Sequence, residues 1–301
     1  MGCPNFVCEV FLIKILILGA SGVVGFHLAQ TLQKEHEVVR AARSSKNADI
    51  KADLSSDAGI KQALSCNPDV VINAVKPALS VDEMQTKQQE AYSLNTLLPQ
   101  RLSQHQKKRG FLLVHISTDG VYPGREGEIY NEDSLTYPPN YYCYTKALAE
   151  ERIICIADNY LILRTEGVFG YDEKGTNWFM RMASAQKNAK PFFATTDQFS
   201  QPICAIELAR LCDILISKKK NGIYNSCGAD FVSRHQLAFM IKEQMGWKLE
   251  IKKSSIKERK IPVQSHLHVD ISKIEKDAGK ISPLSSQISR LKGWMNENQH
   301  V

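Results

Sequence analysis

The chain has 301 residues, of which 43% are hydrophobic and 23% are charged. This composition excludes an intrinsically disordered protein, and the length favours one large domain or a domain with a smaller lobe. The formal net charge of +6 favours anionic partners such as phosphorylated metabolites. The basic residues do not alternate with aromatic ones, so we expect no nucleic-acid binding.

The chain begins with an apolar stretch at residues 6–18, which Glu9 and Lys14 interrupt. It is too short to span a bilayer, so we expect no membrane segment and interpret residues 1–13 as an extension before the first strand. Eight cysteines are scattered without a CxxC pair or a Cys/His cluster. We therefore expect free thiols in a reducing, cytoplasmic compartment and no metal site.

Short apolar runs typical of buried parallel strands alternate with helical segments in the first half of the chain. We predict strand 14–18, helix 23–33, strand 37–41, strand 69–73, helix 84–108, strand 111–116, helix 142–157 and strand 160–164. This alternation predicts an α/β fold of the Rossmann type, a doubly wound parallel sheet with helices on both faces. We assign residues 14–165 to this domain.

The remaining residues, 166–301, are expected to form a smaller C-terminal substrate-binding lobe. Gly, Asn, Asp and Pro interrupt residues 167–202, and helices are predicted at 207–218, 233–245 and 284–297. Part of residues 203–228 is expected to fold back onto the sheet.

A glycine-rich turn separates the first predicted strand from the first predicted helix. Glycine allows a tight turn, a close approach of the backbone to a pyrophosphate and close packing of the helix on the strand. The N–H groups at the start of the helix then face the phosphates. The predicted dinucleotide site comprises Gly19, Ser21, Gly22, Val23, Val24 and Gly25.

The end of the second predicted strand indicates which dinucleotide binds. An NAD site usually has Asp or Glu there, which accepts from the ribose 2′-hydroxyl. Residues 38–46 contain no carboxylate, and Arg43 is followed by Ser44 and Lys46. Arg43, helped by Ser44 or Lys46, can pair with a 2′-phosphate through charge-assisted hydrogen bonds. We therefore predict a preference for NADPH, with NADH as an alternative cofactor.

Two further segments are expected to contact the cofactor. Asp53 and Leu54 follow a predicted third strand, where Asp53 can accept from the adenine amino group. Asn73, Ala74 and Val75 end the fourth strand, where the backbone passes beside the cofactor.

Thr118, Tyr142 and Lys146 form the candidate catalytic set. Thr118 ends a predicted strand, and Tyr142 and Lys146 lie four residues apart on the next helix, so they share a face. Carbonyl reduction needs a proton donor, and a phenol with a pKa of about 10 can serve if an ammonium lowers that pKa. We predict that Tyr142 donates the proton, Lys146 lowers its pKa and Thr118 orients the carbonyl.

Several motifs in order make the chain similar to the extended short-chain dehydrogenases/reductases, and within them to the dTDP-4-dehydrorhamnose reductase family. The family segments STDYVFDG, YGxTKxxGE, RTxWVYG and DQxGxPT resemble residues 117–124, 142–150, 164–170 and 197–203. The resemblance covers roughly residues 14–295. It implies NADPH-dependent reduction of the C4 keto group of a dTDP-linked 6-deoxysugar.

The resemblance also implies roles for individual residues. Asp119 is expected beside the sugar, Asn177 near the nucleotide diphosphate, and Gln198 in the substrate site. The chain departs from the family pattern at the predicted sugar wall: Gly167 replaces Trp, Gly120 replaces an aromatic residue, and Cys143 replaces a glycine. Further departures fall in the DQxGxPT segment, at Ser200, Gln201 and Ile203.

Two other functions share this fold. A nucleotide-sugar epimerase or dehydratase is disfavoured, because related dehydratases carry Asp-Glu after the threonine and Gly120 follows Asp119 here. The chain can also be a non-catalytic NADP-binding regulatory subunit, like the β subunit of methionine adenosyltransferase. The expected partner is a nucleotide sugar. The sequence is compatible with a homodimer and leaves any dependence on Mg²⁺ open.

Overall fold

The computed structural model describes residues 12–298. The strands are β1 (Lys14–Leu18), β2 (Glu37–Ala42), β3 (Ile50–Lys51), β4 (Val70–Asn73), β5 (Leu112–Thr118), β6 (Tyr160–Thr165), β7 (Phe192–Thr195), β8 (Phe199–Ser200), β9 (Gly222–Asn225), β10 (Val232–Ser233) and β11 (Ile251–Ser254). The α-helices are α1 (Val23–Leu32), α2 (Asp57–Ala63), α3 (Val81–Thr86), α4 (Gln88–Tyr92), α5 (Leu98–Arg109), α6 (Tyr141–Ile156), α7 (Trp178–Lys187), α8 (Ala205–Ser217), α9 (Arg234–Met245), α10 (Ser272–Ala278) and α11 (Leu284–Glu297).

The main sheet has seven parallel strands in the order β3-β2-β1-β4-β5-β6-β9. β1 lies between β2 on one side and β4 on the other, so the strand order reverses there. In open α/β sheets, ligands bind at the carboxyl ends of the strands beside this reversal. The predicted α/β fold of the Rossmann type is confirmed.

Helices cover both faces of this sheet, which explains why its central strands are apolar along their whole length. Ile15 and Ile17 of β1 face a core that α1 and α8 close, whereas Leu16 and Leu18 face a second core beneath α2, α5 and α6. Within the described range, no helix is both long enough and apolar enough to cross a membrane.

The C-terminal part has a core of its own. Side chains of α7, α9 and α11 build it, with β7 paired to β11 and β8 paired to β10 nearby. α8 packs instead on the main sheet, and β9 extends that sheet beside β6. The boundary at residue 165 stays a prediction.

The prediction of one helix over residues 84–108 is wrong in detail. α3 and α4 are separate, and Ser93–Leu97 forms a π-helical turn before α5. Pro99 lacks an N–H, and its ring collides with the carbonyl four residues earlier in a regular α-helix, at Asn95. The wide turn avoids this collision. It also lets Asn95 donate to the hydroxyl of Thr145 at 3.0 Å and Thr96 donate to the Thr145 carbonyl at 2.8 Å.

Candidate active site

The glycine turn lies at the carboxyl edge of the sheet, between β1 and α1. Gly19 has a φ of +82°, and a Cβ there would lie 2.8 Å from the carbonyl oxygen of Ala74. A Cβ on Gly25 would overlap the carbonyl group of Gly19. A larger side chain at either position would therefore push the turn away from the strand ends.

The start of α1 suits a phosphate group. Gly22 is the N-cap residue, and among the described residues no side chain caps the helix and none in its first turn is acidic. The N–H groups of the first turn are thus left for a ligand, and the helix dipole favours an anion. The turn from Ser21 to Val24 therefore fits the pyrophosphate of a dinucleotide.

A cavity of about 470 Å³ opens beside this turn, at the end of β2. In a Rossmann fold this is the place of the adenosine ribose. Arg40 and Lys46 bring positive charge to its wall. Arg43 is exposed and does not line this cavity; its charge helps to lower the pKa of Asp53, although less than the hydrogen bonds from Ser55 do. The structure therefore places Arg40, rather than Arg43, in the cavity.

The other predicted cofactor contacts have partners within the protein. The Asp53 carboxylate accepts from the hydroxyl of Ser55 at 2.7 Å and from its N–H at 3.1 Å, and Leu54 is buried. The side-chain oxygen of Asn73 accepts from the N–H of Val75 at 3.2 Å. The backbone of residues 74–75 contacts the glycine turn.

Thr118 and Tyr142 lie next to each other at the end of β5, where the Thr118 hydroxyl acts to lower the pKa of the Tyr142 phenol. The Thr118 hydroxyl also accepts from the N–H of Gly120 at 3.1 Å. Tyr142 lies in the first turn of α6, whose N-cap residue Asn140 accepts from the N–H of Cys143 at 3.1 Å. The structure therefore brings the predicted proton donor next to the residue predicted to orient the carbonyl.

Gly120 and Cys143, which both differ from the family pattern, lie against each other in the structure. A Cβ on Gly120 would lie 2.8 Å from the Cys143 sulfur and 3.2 Å from the Thr118 hydroxyl. The thiol of Cys143 thus fills the space that a side chain at position 120 would need.

Lys146 is buried one helical turn beyond Tyr142. Its Nζ donates to the carbonyl of Ile116 at 2.5 Å and lies 3.1 Å from Nε2 of His115. Burial lowers the pKa of Lys146 to about 8, although Glu150 opposes the shift. The polar contacts of Lys146 are thus with β5 and not with the Tyr142 hydroxyl.

The pKa of Tyr142 lies above its ordinary value. Burial is the main cause, and the neighbouring Cys143 and Asp119 raise it further, whereas the Thr118 hydroxyl lowers it. The predicted lowering of the Tyr142 pKa by Lys146 is therefore wrong for this arrangement, in which burial raises that pKa.

A buried ion pair holds α6 against the sheet. Nη2 of Arg164, on β6, lies 2.7 Å from Oε2 of Glu150, on α6, and both side chains are almost completely buried. Ser117 of β5 donates to the same carboxylate, and Arg164 donates to the Tyr122 hydroxyl at 2.6 Å. This network fixes α6 relative to the strand that carries Thr118.

A second cluster of charged groups lies beside Tyr142. Glu166 pairs with Arg234, and Asp119 is completely buried. Burial and the charge of Glu166 raise the pKa of Asp119 well above its ordinary range, which favours the protonated carboxyl. Among the described residues, three oxygens here are buried without a hydrogen-bond partner: Asp119 Oδ1, Thr165 Oγ1 and Glu166 Oε2. Such acceptors favour a ligand that brings O–H or N–H groups.

Gly167 explains how Arg234 reaches this cluster. Gly167 has a φ of +55°, and a Cβ there would lie 2.9 Å from Pro202 Cβ and 3.1 Å from Nη1 of Arg234. The guanidinium therefore uses space that a side chain at position 167 would occupy. Glu166 and Arg234 were not identified as site residues from the sequence. The one feature of the sequence that pointed to a changed site here is Gly167, which stands where the family pattern has Trp.

Asn177 and Gln198 lie on the C-terminal side of the cleft. Asn177 caps α7, accepting from the N–H of Met180 at 3.1 Å and donating to Asp172 at 2.6 Å. The backbone carbonyl of Gln198 accepts from the N–H of Arg234 at 3.1 Å. Their contacts with substrate stay predictions.

Cysteine and metal chemistry add little to the site. The cysteines of the described range are free thiols, and within that range no group of three or more His, Cys, Asp or Glu side chains is placed to hold a metal ion. A dependence on Mg²⁺ stays open.

Residues 13–289 match the sequence profile of the RmlD substrate binding domain. The chain belongs to the RmlD family. One RmlD-family relative is the spore coat polysaccharide biosynthesis protein SpsK of Bacillus subtilis, 28% identical over 77% of this chain and 80% of that protein. Another is the dTDP-4-dehydrorhamnose reductase of Aggregatibacter actinomycetemcomitans, 29% identical over 77% of this chain and 79% of that enzyme.

A solved structure of the RmlD family has the same fold. The dTDP-4-dehydrorhamnose reductase of Bacillus anthracis, crystallised with NADP, superposes with a TM-score of 0.83 over 95% of this chain and 99% of that one, at 20% identity. The relatives named dTDP-4-dehydrorhamnose reductase are NAD(P)-dependent oxidoreductases. In this chain, nearby side chains fill the space that larger residues at positions 120 and 167 would need. Cys143 does so beside Gly120, and Arg234 does so beside Gly167.

Proposed function

We propose that the chain is an NADPH-dependent reductase of the C4 keto group of a nucleotide-linked 6-deoxysugar. The proximity of the Thr118 and Tyr142 side chains, at the same edge of the sheet as the glycine turn, carries this proposal. Family membership supports it, as do the relatives named dTDP-4-dehydrorhamnose reductase.

The cofactor would be held by the glycine turn and the first N–H groups of α1, with its adenosine end in the cavity beside β2. When bound, NADPH supplies the hydride that reduces the carbonyl carbon. Arg40 and Lys46 line that cavity and favour the extra phosphate of NADPH.

Tyr142 would give its phenolic proton to the carbonyl oxygen, and Thr118 would hydrogen-bond to the same oxygen. Because burial raises the Tyr142 pKa, the phenol keeps its proton at neutral pH until that oxygen becomes strongly basic. Lys146 lies one helical turn away, and its positive charge would stabilise the phenolate that remains.

The sugar would lie against Asp119 and Glu166. Their unpartnered buried oxygens suit the hydroxyl groups of a sugar. The nearby Arg234 guanidinium is available to the diphosphate of the nucleotide if it leaves Glu166.

The test is NADPH oxidation by purified protein with a panel of nucleotide-linked 4-keto-6-deoxysugars. We expect Tyr142→Phe to lower kcat by about 10²- to 10⁴-fold, because the proton donor is lost, while the Kd for NADPH stays within about twofold. Tyr144→Phe is the matched control, since Tyr144 is exposed on the same helix and should leave kcat unchanged.

Full activity of Tyr142→Phe would remove the proposed proton donor. NADPH binding without turnover of any sugar, together with co-purification of a partner enzyme, would favour the regulatory-subunit alternative.

A further inference from the structure

Glu173 connects the two parts of the chain at the adenosine end of the site. It lies in the loop between β6 and α7, yet its carboxylate contacts the turn that follows β2. Oε2 accepts from the Ser45 hydroxyl at 2.6 Å, and Oε1 accepts from the Asn47 side-chain amide at 2.8 Å. Asp172 shapes the loop by accepting from the N–H of Lys174 at 2.8 Å.

The carboxylate of Glu173 enters the cavity beside the glycine turn. The same cavity is lined by Ser45 and Asn47, and by the cationic Arg40 and Lys46. Hydroxyl, amide and cationic donors gathered at the end of β2 and in the turn after it are the groups that recognise a phosphate on the ribose 2′-oxygen. Glu173 therefore presents an anion to the donors that such a phosphate would use.

The other carboxylate at this cavity is already engaged. Asp49 accepts from the backbone N–H of Arg40 at 2.8 Å, so it helps to shape the wall. Glu173 differs because its two partners are side chains of a turn that could instead bind a ligand.

We infer that Glu173 occupies the 2′-phosphate subsite and competes with NADPH for it. This inference rests on the proposed function and adds a specificity-determining residue. A carboxylate and a phosphate cannot share the donors of Ser45 and Asn47, because two anions at contact distance repel. NADPH must displace Glu173, whereas NADH has a neutral 2′-hydroxyl and leaves the carboxylate in place.

Displacement of Glu173 is also expected to affect the start of α7, on the C-terminal side of the cleft. Asp172, the neighbouring residue, accepts from the side chain of Asn177, which caps α7. Binding of a 2′-phosphate is therefore expected to release a loop that is attached to the start of α7, and NADH binding is not.

The test compares wild type with Glu173→Gln, which keeps the size of the side chain and removes its charge. Calorimetric titrations of the full chain use NADPH, NADH, 2′,5′-ADP and 5′-AMP. We expect Glu173→Gln to bind NADPH and 2′,5′-ADP about fivefold to tenfold more tightly, as loss of one like-charge contact predicts. Affinities for NADH and 5′-AMP should stay within about twofold, because these ligands lack the 2′-phosphate.

Glu151→Gln is the matched control, since it removes the same charge from an exposed position on α6 and should change none of the four affinities. Unchanged NADPH affinity in Glu173→Gln overturns the inference. So does a selective loss of NADH affinity, which would make Glu173 an acceptor for the ribose hydroxyl. Both results leave the proposed reductase intact, because wild type would still bind the cofactor. Failure of wild type to bind any of the four ligands would overturn both proposals.

Discussion

Lys146 sits in a chain of hydrogen bonds that disfavours its charge. The Asn73 oxygen accepts from the N–H of Val75, so the Asn73 amide nitrogen faces Nδ1 of His115, at 3.2 Å. Burial holds the pKa of His115 well below its ordinary value, which favours the neutral ring. Nε2 of that ring lies 3.1 Å from Nζ of Lys146, so an ammonium can donate to it only when the ring proton is on Nδ1, and Nδ1 then no longer accepts from Asn73.

This arrangement predicts a limit on activity at alkaline pH. The pKa of Lys146 is about 8, so its ammonium is present below that pH and is lost as the pH rises through it. Because the positive charge would stabilise the Tyr142 phenolate, we expect kcat/KM to fall above a pH of about 8. Initial rates measured from about pH 6 to about pH 10, a range that includes the titration of the lysine, test this expected fall in kcat/KM.

Lys146→Arg separates charge from geometry in that experiment. Its guanidinium stays charged up to a pH of about 12, so whatever activity the variant keeps should lack the alkaline decline. Lys146→Met should lose activity at every pH. An alkaline decline that persists in Lys146→Arg would assign the titration to another group.

The sequence predicted the positions of single residues on their elements where local geometry decides, while their roles stay predictions. Tyr142 and Lys146 share a helix face because of their spacing, and Thr118 ends the strand beside them. Arg43 is different, because β2 ends at Ala42 and Arg40, within the strand, lines the cavity. Glu166 and Arg234 are 68 positions apart, so only the tertiary fold brings them together.

At the scale of elements, α6 is fixed at its start and along its buried side. Asn140 caps its start, the π-helical turn holds Thr145, and the pair between Glu150 and Arg164 fixes its middle to β6. The position of the Tyr142 hydroxyl depends on these contacts, since α6 carries Tyr142 as well as Lys146.

Glu150→Gln should therefore be strongly destabilising. The change leaves the Arg164 guanidinium buried without its counter-charge, which we expect to lower the free energy of unfolding by about 3 kcal/mol. Urea unfolding followed by circular dichroism measures the loss. Glu151→Gln, on the exposed side of α6, should change stability by less than about 0.5 kcal/mol. Equal stability of the two variants would show that the buried pair contributes little.

The strands and most helices could be predicted from hydrophobic periodicity, because burial on one or two faces leaves a pattern in the chain. The segment from residue 84 to residue 108 could not. Its pattern suits one long helix, and the break depends on Pro99 and on the packing of Asn95 and Thr96 against α6.

At the scale of the whole molecule, the last helix supports the first. The Trp294 ring of α11 lies 5.7 Å from the Phe26 ring and 5.1 Å from the His27 ring, measured between ring centres. Both partners belong to α1, whose first turn follows the glycine turn. The alternation of strands and helices predicted the fold class, but no local pattern indicates this contact between distant segments.

Trp294→Ala should weaken cofactor binding as well as stability. Removing a half-buried indole should cost about 2 kcal/mol and loosen α1 at its phosphate-binding end, so the Kd for NADPH should rise. Trp247→Ala is the control, because Trp247 packs on Phe179 in the C-terminal core. We expect it to lower the Tm while leaving the NADPH Kd within about twofold. If Trp294→Ala and Trp247→Ala changed the NADPH Kd equally, α11 would have no specific role in holding α1 for cofactor binding.

Gly167 and Arg234 also limit which substitutions are possible at the predicted sugar wall. A bulky residue at position 167 would collide with the guanidinium and with Pro202, and the backbone there adopts a left-handed conformation that favours glycine. A large aromatic ring can enter only if the Arg234 guanidinium moves away or the residue becomes smaller, and Glu166 would then be left with an uncompensated charge. Positions 166, 167 and 234 are therefore epistatic. Substitution of one at a time gives variants with a steric clash or an unpaired buried charge, whereas joint substitution exchanges the glycine and ion pair for an aromatic side chain.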